Sequence, residues 1–189
     1  MEVDAAPLSS AEIGRIAKRI DRPIVLVGMM GVGKSTVGRK LAALLHFPFV
    51  DADDEIVDAA QMSIPEIFEQ YGEPYFRSGE RRVIARLIDG SRKVLATGGG
   101  AFVDPETRAL ILGKAIAVWL DSEVDVLIDR VGRKDTRPLL RGGNPREILT
   151  RLRDERQPAY SQAPIHILSG NAPHLHTANR ILRAIDQWL

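Results

Sequence analysis

Nine consecutive residues constrain this chain more than any others: Gly28-Met29-Met30-Gly31-Val32-Gly33-Lys34-Ser35-Thr36. They read G-x-x-x-x-G-K-S, the P-loop pattern, and the flanks suit it. Ile24–Val27 is a continuous apolar run of the kind a buried parallel strand needs. Val37, Leu41, Leu44 and Leu45 then recur at helical spacing. In a strand–turn–helix unit the glycines admit backbone angles and close approaches that a Cβ forbids, so successive N–H groups can point inward at phosphate. The helix start adds unpaired donors and the positive end of its dipole. Gly31, Val32, Gly33, Lys34, Ser35 and Thr36 are therefore the candidate nucleotide-binding residues. Lys34 would reach the β- and γ-phosphates, and the Ser35 hydroxyl would ligate Mg²⁺. A chain built around this unit binds a nucleoside triphosphate.

Composition narrows the class. The 189 residues suit one compact domain with a sizeable core. A formal net charge of +1 gives no broad basic field for nucleic acid. No cysteine is present, which excludes disulfides and thiolate metal sites and is compatible with a reducing cytosol, so a cytoplasmic location is the expectation. No apolar run approaches the ~20 residues of a spanning helix, so no membrane role is expected, and the acidic start lacks the parts of a signal peptide. The expected oligomeric state is a monomer.

Strand-like and helix-like segments alternate, which predicts a doubly wound α/β domain with a parallel five-stranded sheet. Ser10 could cap a first helix with Ile13, Ile16 and Ile20 on one face; that face would meet either a partner or its own domain. Residues 1–22 form an N-terminal extension and 23–189 the single domain. Later strands are expected at Pro48–Val50, Lys93–Thr97, Ala115–Leu120 and Ile165–Leu168. The pattern Ser63-Ile64-Pro65-Glu66 opens a helix that Gly72 stops, and Asp104-Pro105 opens another that Gly113 ends. A further helix should close before Pro158. The last, Thr177–Leu189, would bury Ile181, Ile185 and Trp188. The four histidines are expected to be structural or exposed.

Candidate chemistry lies where strands end. Asp51 and Asp53 would leave the second strand on one side, placed either to hold a magnesium-bound water and a hydroxyl or simply to start a helix. Arg77 and Glu80 share a helical face, either as a surface pair or as a carboxylate-held guanidinium for an acidic substrate. Gly98-Gly99-Gly100 after the third strand indicates close backbone approach or a hinge. The basic, glycine-bounded stretch from Gly132 to Asn144, with Arg130 before it and Arg137 within it, reads as a lid over phosphates or a solvated loop.

Together these pieces resemble the shikimate kinases, a family within the nucleoside monophosphate kinase-like P-loop proteins. The match runs over about residues 23–189. It rests on G-x-x-G-x-G-K-S-T-x-G at Gly28–Gly38, F-x-D-x-D at Phe49–Asp53 and G-E-x-x-F-R-x-x-E at Gly72–Glu80. G-G-G at Gly98–Gly100, R-P-L-L at Arg137–Leu140 and R-x-x-x-Y at Arg156–Tyr160 complete the set. The resemblance implies a three-layer P-loop kinase fold with strand order 2-3-1-4-5, a substrate-binding region at about 51–82 and a lid at about 130–144. It implies that MgATP phosphorylates the 3-hydroxyl of shikimate, a step in aromatic amino acid biosynthesis. Asp53, Arg77, the Gly98–Gly100 backbone and Arg156 would bind shikimate, with Arg156 on its carboxylate. Ser35 and, through water, Asp51 would hold Mg²⁺; Arg137 would meet the ATP phosphates and Arg130 the adenine. Lys34, Asp53 and Arg137 would be catalytic. Two features depart from the family pattern: Gly79 interrupts a helical stretch, and Ser169–His174 matches no adenine-loop motif. The competing readings are a gluconate-type kinase of the same fold and an inert ATP-binding regulatory module.

Overall fold

The computed structural model describes residues 6–132, 142–170 and 172–189. Of the basic stretch expected to be a lid, about 130–144, residues 133–141, Arg137 among them, lie outside the described residues. Five parallel strands form one sheet in the order β2-β3-β1-β4-β5, as expected. They are β1 (Ile24–Val27), β2 (Phe49–Asp51), β3 (Val94–Ala96), β4 (Ile116–Asp121) and β5 (Ile165–Leu168). The central strand β1 is apolar at every position and wholly buried, because both of its faces are covered. At the edge, β5 alternates buried Ile165 and Ile167 with exposed His166 and Leu168. A strand with one solvated face needs apolar residues on the other face only.

Eight helices flank the sheet among the described residues: α1 (Ser10–Arg19), α2 (Lys34–Leu45), α3 (Ala52–Ala60), α4 (Ile64–Leu87), α5 (Pro105–Lys114), α6 (Val124–Val131), α7 (Pro145–Tyr160) and α8 (His174–Trp188). Helix α2 packs against α8, and α1 lies on both. Its buried Ile13 and Ile16, with Ile20 just beyond, form the contact, and Arg15 and Arg19 both pair with Asp186. Helix α4 packs on α3 and α5, while α7 packs on α6. Arg81 of α4 reaches Asp104 and Glu106, each at 2.9 Å, and so ties the start of α5 to the middle of α4.

Several helix ends differ from expectation by local chemistry. The N-cap of α1 is Ser9, one residue earlier than expected, because Glu12 stands at the third helical position and closes a capping box with it. The break at Gly72 is a kink (φ 81°, ψ 172°) inside α4, with helix resuming at once on the other side. Pro158 does not end α7, which continues to Tyr160: a proline so close to the C-terminus forfeits little of the helical hydrogen-bond ladder. Helix α5 passes Gly113 by one residue, and α8 begins at His174 rather than Thr177. Trp188, expected in the core, is the last residue of α8 and is 44% exposed.

Two glycines separate packing from freedom. A Cβ on Gly38 would stand 2.6 Å from the Phe49 ring, so α2 approaches β2 only because that position is bare. Around Gly14, in α1, a Cβ would meet nothing within 4 Å. Gly38→Ala should therefore lower stability by about 1–3 kcal/mol through overpacking. Gly14→Ala should raise it by roughly 0.8–1.0 kcal/mol through helix propensity. Urea denaturation of both variants measures the two signs.

Candidate active site

The P-loop leaves β1 in a backbone that only glycine adopts easily. Gly28, Gly31 and Gly33 have φ of 137°, 79° and 98°. At Gly28 the requirement is double, since a Cβ would also stand 2.1 Å from the Leu120 carbonyl oxygen of β4. Helix α2 starts at Lys34 with Gly33 as its N-cap and no side-chain cap, so its first N–H groups face the loop. Lys34 is buried, and its Nζ donates to the carbonyls of Gly28 and Met29, both at 2.8 Å. The ammonium is thereby held over the loop's concave side.

Ser35 Oγ donates to Asp51 Oδ2 at 2.5 Å, while Asp51 Oδ1 caps α3 by accepting from the Asp53 N–H at 3.0 Å. Asp51 is thus the N-cap of α3, as the helix-start reading of this acidic stretch expects, and it is also the neighbour of the P-loop serine. These hard oxygen donors at the mouth of the loop suit Mg²⁺, which keeps much of its coordination for water and phosphate. No cluster of three or more His, Cys, Asp or Glu suited to a metal occurs among the described residues.

On the other side of Asp53 a second concavity opens. Arg77 Nη1 donates to Glu80 Oε2 at 2.8 Å, and Glu73 lies 3.3 Å from Nη2. Glu80 is 3% exposed, and Arg156 is also buried. Burial pushes the Glu80 carboxyl above its ordinary range; Arg77 opposes that, Asp53 adds to it and Arg156 opposes it. Glu80 Oε1 and Arg156 Nη1 are buried without a hydrogen-bond partner among the described residues. Against these charges run the three glycines. A Cβ on Gly98 would stand 2.7 Å from Glu80 Oε1, and one on Gly99 3.1 Å from Arg156 Nη1. On Gly100 it would stand 2.4–2.5 Å from the Arg77 guanidinium. Each glycine makes room for a different charged side chain, which answers the choice between close approach and hinge in favour of close approach. The Tyr160 hydroxyl donates to the Gly99 carbonyl and pins the turn, and burial pushes that hydroxyl's pKa up to about 12, so it remains a donor.

Two cavities result. One, of about 380 Å³, is lined by the P-loop residues with Arg130 and His174. The other, of about 620 Å³, is lined by Arg77, Glu80, Phe68, Phe76, Gly100 and Arg156 among others. Met30, Asp51, Asp53, Gly98 and Gly99 line both, so the cavities meet at Asp53. Arg130 sits at the first cavity's wall, donating to the Val32 carbonyl at 3.0 Å and the Gly170 carbonyl at 2.8 Å.

Sequence reasoning passed over His174 and Tyr160 as site residues and left Glu80 as either a surface partner or the holder of Arg77. His174 lies beside Gly33 in the nucleotide-side cavity, where burial and then Arg130 lower its pKa; among the residues around it, nothing in local sequence marked this histidine from the other three. Glu80 and Tyr160 carried a signal, since each closes a motif that contains an arginine of the site. The structure does gather Lys34, Ser35, Asp51, Asp53, Arg77, Gly98–Gly100, Arg130 and Arg156 around these two cavities. Arg137 alone of the expected site residues lies outside the described residues.

The position of Glu80 gives a titration test. Its carboxyl should titrate above the ordinary range, followed by carboxyl-carbon NMR. Arg77→Met should move the midpoint further up, because the strongest group opposing burial is then gone. A raised folded-state pKa means that the protonated form favours the fold. Glu80 therefore contributes most below the ordinary glutamate range, and stability from this group declines as pH rises through the shifted midpoint.

Comparison with known proteins agrees with this geometry. The shikimate kinase family model matches residues 30–186. A shikimate kinase of Novosphingobium aromaticivorans is 73% identical over the whole of both chains. One from Caulobacter vibrioides is 57% identical over 88% of this chain and 83% of its own. Among solved structures, shikimate kinase from Acinetobacter baumannii in complex with shikimate superposes with a TM-score of 0.86 at 38% identity, covering 90% of this chain and 97% of that one. A gluconokinase from Sinorhizobium meliloti, at 18% identity and a TM-score of 0.57 over 90% and 97% of the two chains, shares the fold alone. The chain belongs to the shikimate kinase family.

Proposed function

We propose that this chain transfers the γ-phosphoryl group of ATP to the 3-hydroxyl of shikimate, with the P-loop cavity holding the nucleotide and the Arg77–Arg156 cavity the acceptor. The observation that carries this reading is the meeting of the two cavities at Asp53. A reaction between two bound molecules needs their reacting atoms within van der Waals reach, and Asp53, in the first turn of α3, lines both cavities.

In the nucleotide cavity the loop N–H groups and the start of α2 cradle the phosphates. Lys34 exchanges its two carbonyl partners for phosphate oxygens, a short movement for a flexible chain whose ammonium already lies over the loop. Ser35 and Asp51 would hold Mg²⁺, which when bound neutralises phosphate charge. Arg137 is assigned to the same phosphates by the motif that carries it. Arg130 is assigned to the base side, supported by its place on the wall between Val32 and Gly170.

In the acceptor cavity Arg156 and Arg77 receive the substrate carboxylate. The buried, unpartnered Nη1 of Arg156 is a donor already stripped of water, and such a donor gains more from a carboxylate than an exposed one. Glu80 holds the Arg77 guanidinium in place and keeps two adjacent arginines from repelling one another. The glycine turn offers backbone groups to the ring hydroxyls. Asp53 orients the acceptor hydroxyl and takes its proton as the phosphoryl group arrives. Phosphoryl transfer asks the protein for positioning and charge, and the groups above supply both. All of them come from one chain, so a monomer suffices, and the reading places the reaction in the cytoplasm, supported by the cysteine-free sequence. Among the described residues no helix is long and apolar enough to cross a membrane.

ADP release measured in parallel with shikimate, gluconate and nucleoside monophosphates tests the assignment: turnover should occur with shikimate alone, and comparable turnover of another acceptor contradicts it. Two substitutions separate the cavities. Lys34→Ala should abolish transfer and leave calorimetric shikimate binding largely intact. Arg77→Ala should weaken shikimate binding by about 1.5–3 kcal/mol, the range for a hydrogen bond to a charged group, and leave nucleotide binding unchanged.

A further inference from the structure

A third cavity, of about 330 Å³, lies behind the acceptor site between α3 and α4. Its walls are apolar: Ile56 from α3, then Ile67, Phe76 and Val83 from α4, all buried elsewhere on their surfaces. Tyr75 stands at its mouth, half exposed and stacked on Tyr71 with ring centroids 4.6 Å apart. Two arginines, Arg82 and Arg86, complete the lining. Arg86 pairs with Glu55 at 2.9 Å. Arg82 has no ion pair or hydrogen bond among the described residues.

Gly79 forms part of the wall, inside a helix where glycine is disfavoured. The glycines of the acceptor turn each leave room for a named side chain, but a Cβ on Gly79 would meet nothing within 4 Å. Neither backbone conformation nor packing within the chain calls for the missing side chain there. What its absence does is keep the cavity open.

We propose that this cavity is a second small-molecule site and that its ligand is an aromatic carboxylate, with the ring against Phe76 and Tyr75 and the carboxylate on Arg82. The volume lies at the low end for pockets that hold small ligands, and apolar walls with one charged group are the usual composition of such pockets. An aromatic ring matches the aromatic wall, and an arginine without an acidic partner matches a carboxylate. Phe76 also lines the acceptor cavity and precedes Arg77, so a ligand pressing on its ring changes the setting of the acceptor arginine. That coupling rests on the acceptor assignment made above; the site itself does not.

The test is calorimetric titration of the full chain with 3-phenylpropionate in saturating shikimate, which keeps the probe out of the acceptor cavity. Binding should persist there. It should weaken at least tenfold in Gly79→Leu, which fills the cavity, and about tenfold in Arg82→Ala. The uncharged 3-phenylpropan-1-ol should bind about tenfold more weakly than the acid. Retained shikimate binding shows that each variant is folded, and Arg82→Ala, an exposed substitution, carries the test if the leucine variant is not. Absence of probe binding, its loss when shikimate is added, or equal binding by Gly79→Leu overturns the site; equal binding of the alcohol overturns the carboxylate assignment. In steady-state assays the probe should change KM for shikimate and leave KM for ATP unaltered, and an unaltered KM for both overturns the coupling. Failure of the acceptor reading would appear separately, as absence of any heat from shikimate alone.

Discussion

The half of this molecule around Arg77 and Arg156 depends on one buried carboxylate. Glu80 is almost wholly out of water, and a lone glutamate so placed would stay protonated and contribute nothing to a cationic site. Arg77 at 2.8 Å and Arg156 oppose that effect of burial without cancelling it, and the same carboxyl faces both guanidinium groups. Removing one partner from such a cluster typically costs about 3–5 kcal/mol, because the other charge is left buried and unpaired. The geometry of the turn after β3 follows from the same cluster. Three side chains of this size and charge cannot approach a backbone that carries Cβ atoms, so all three positions of the turn are glycine.

The nucleotide half depends on steric constraints of a different kind. There the glycines are required by positive φ and by the closeness of β4, and the charge over the loop is one lysine held by two carbonyls. The sheet joins the halves. Strand β1 delivers the P-loop, β2 delivers Asp51 and Asp53, and β3 delivers the glycine turn, and these three are neighbours in the order β2-β3-β1. Open parallel sheets gather their functional loops at the carboxyl ends of the strands, and here Asp53 falls between the two cavities for that reason.

Much of this could be read from residue order. A P-loop needs consecutive residues of fixed type, so Gly28–Thr36 declared itself, and the alternation of apolar segments gave the sheet. Spacing alone left Arg77 and Glu80 as either a surface pair or a binding pair, because the difference lies in burial, and the groups that crowd them, the glycine turn and Arg156 of α7, are remote in sequence. The resemblance to a family resolved that choice earlier than any local pattern could. His174 stayed hidden for the opposite reason. Its place beside Gly33 arises from the packing of α8 on α2, far apart in sequence, and no neighbouring residue announces it. Trp188 misled because helical periodicity reports which face is apolar and not how deeply the last residue of a helix is covered.

If the glycine turn exists to admit the charged cluster, adding one methyl group at the tightest point should damage the acceptor site alone. The direct measurement is calorimetry of Gly100→Ala with shikimate and, separately, with ADP. Its Cβ would stand 2.4–2.5 Å from the Arg77 guanidinium, so the arginine must move. Shikimate affinity should fall at least about tenfold, equivalent to ~1.4 kcal/mol, while ADP affinity stays within about twofold. Unchanged shikimate affinity, or an equal loss for both ligands, would contradict the account.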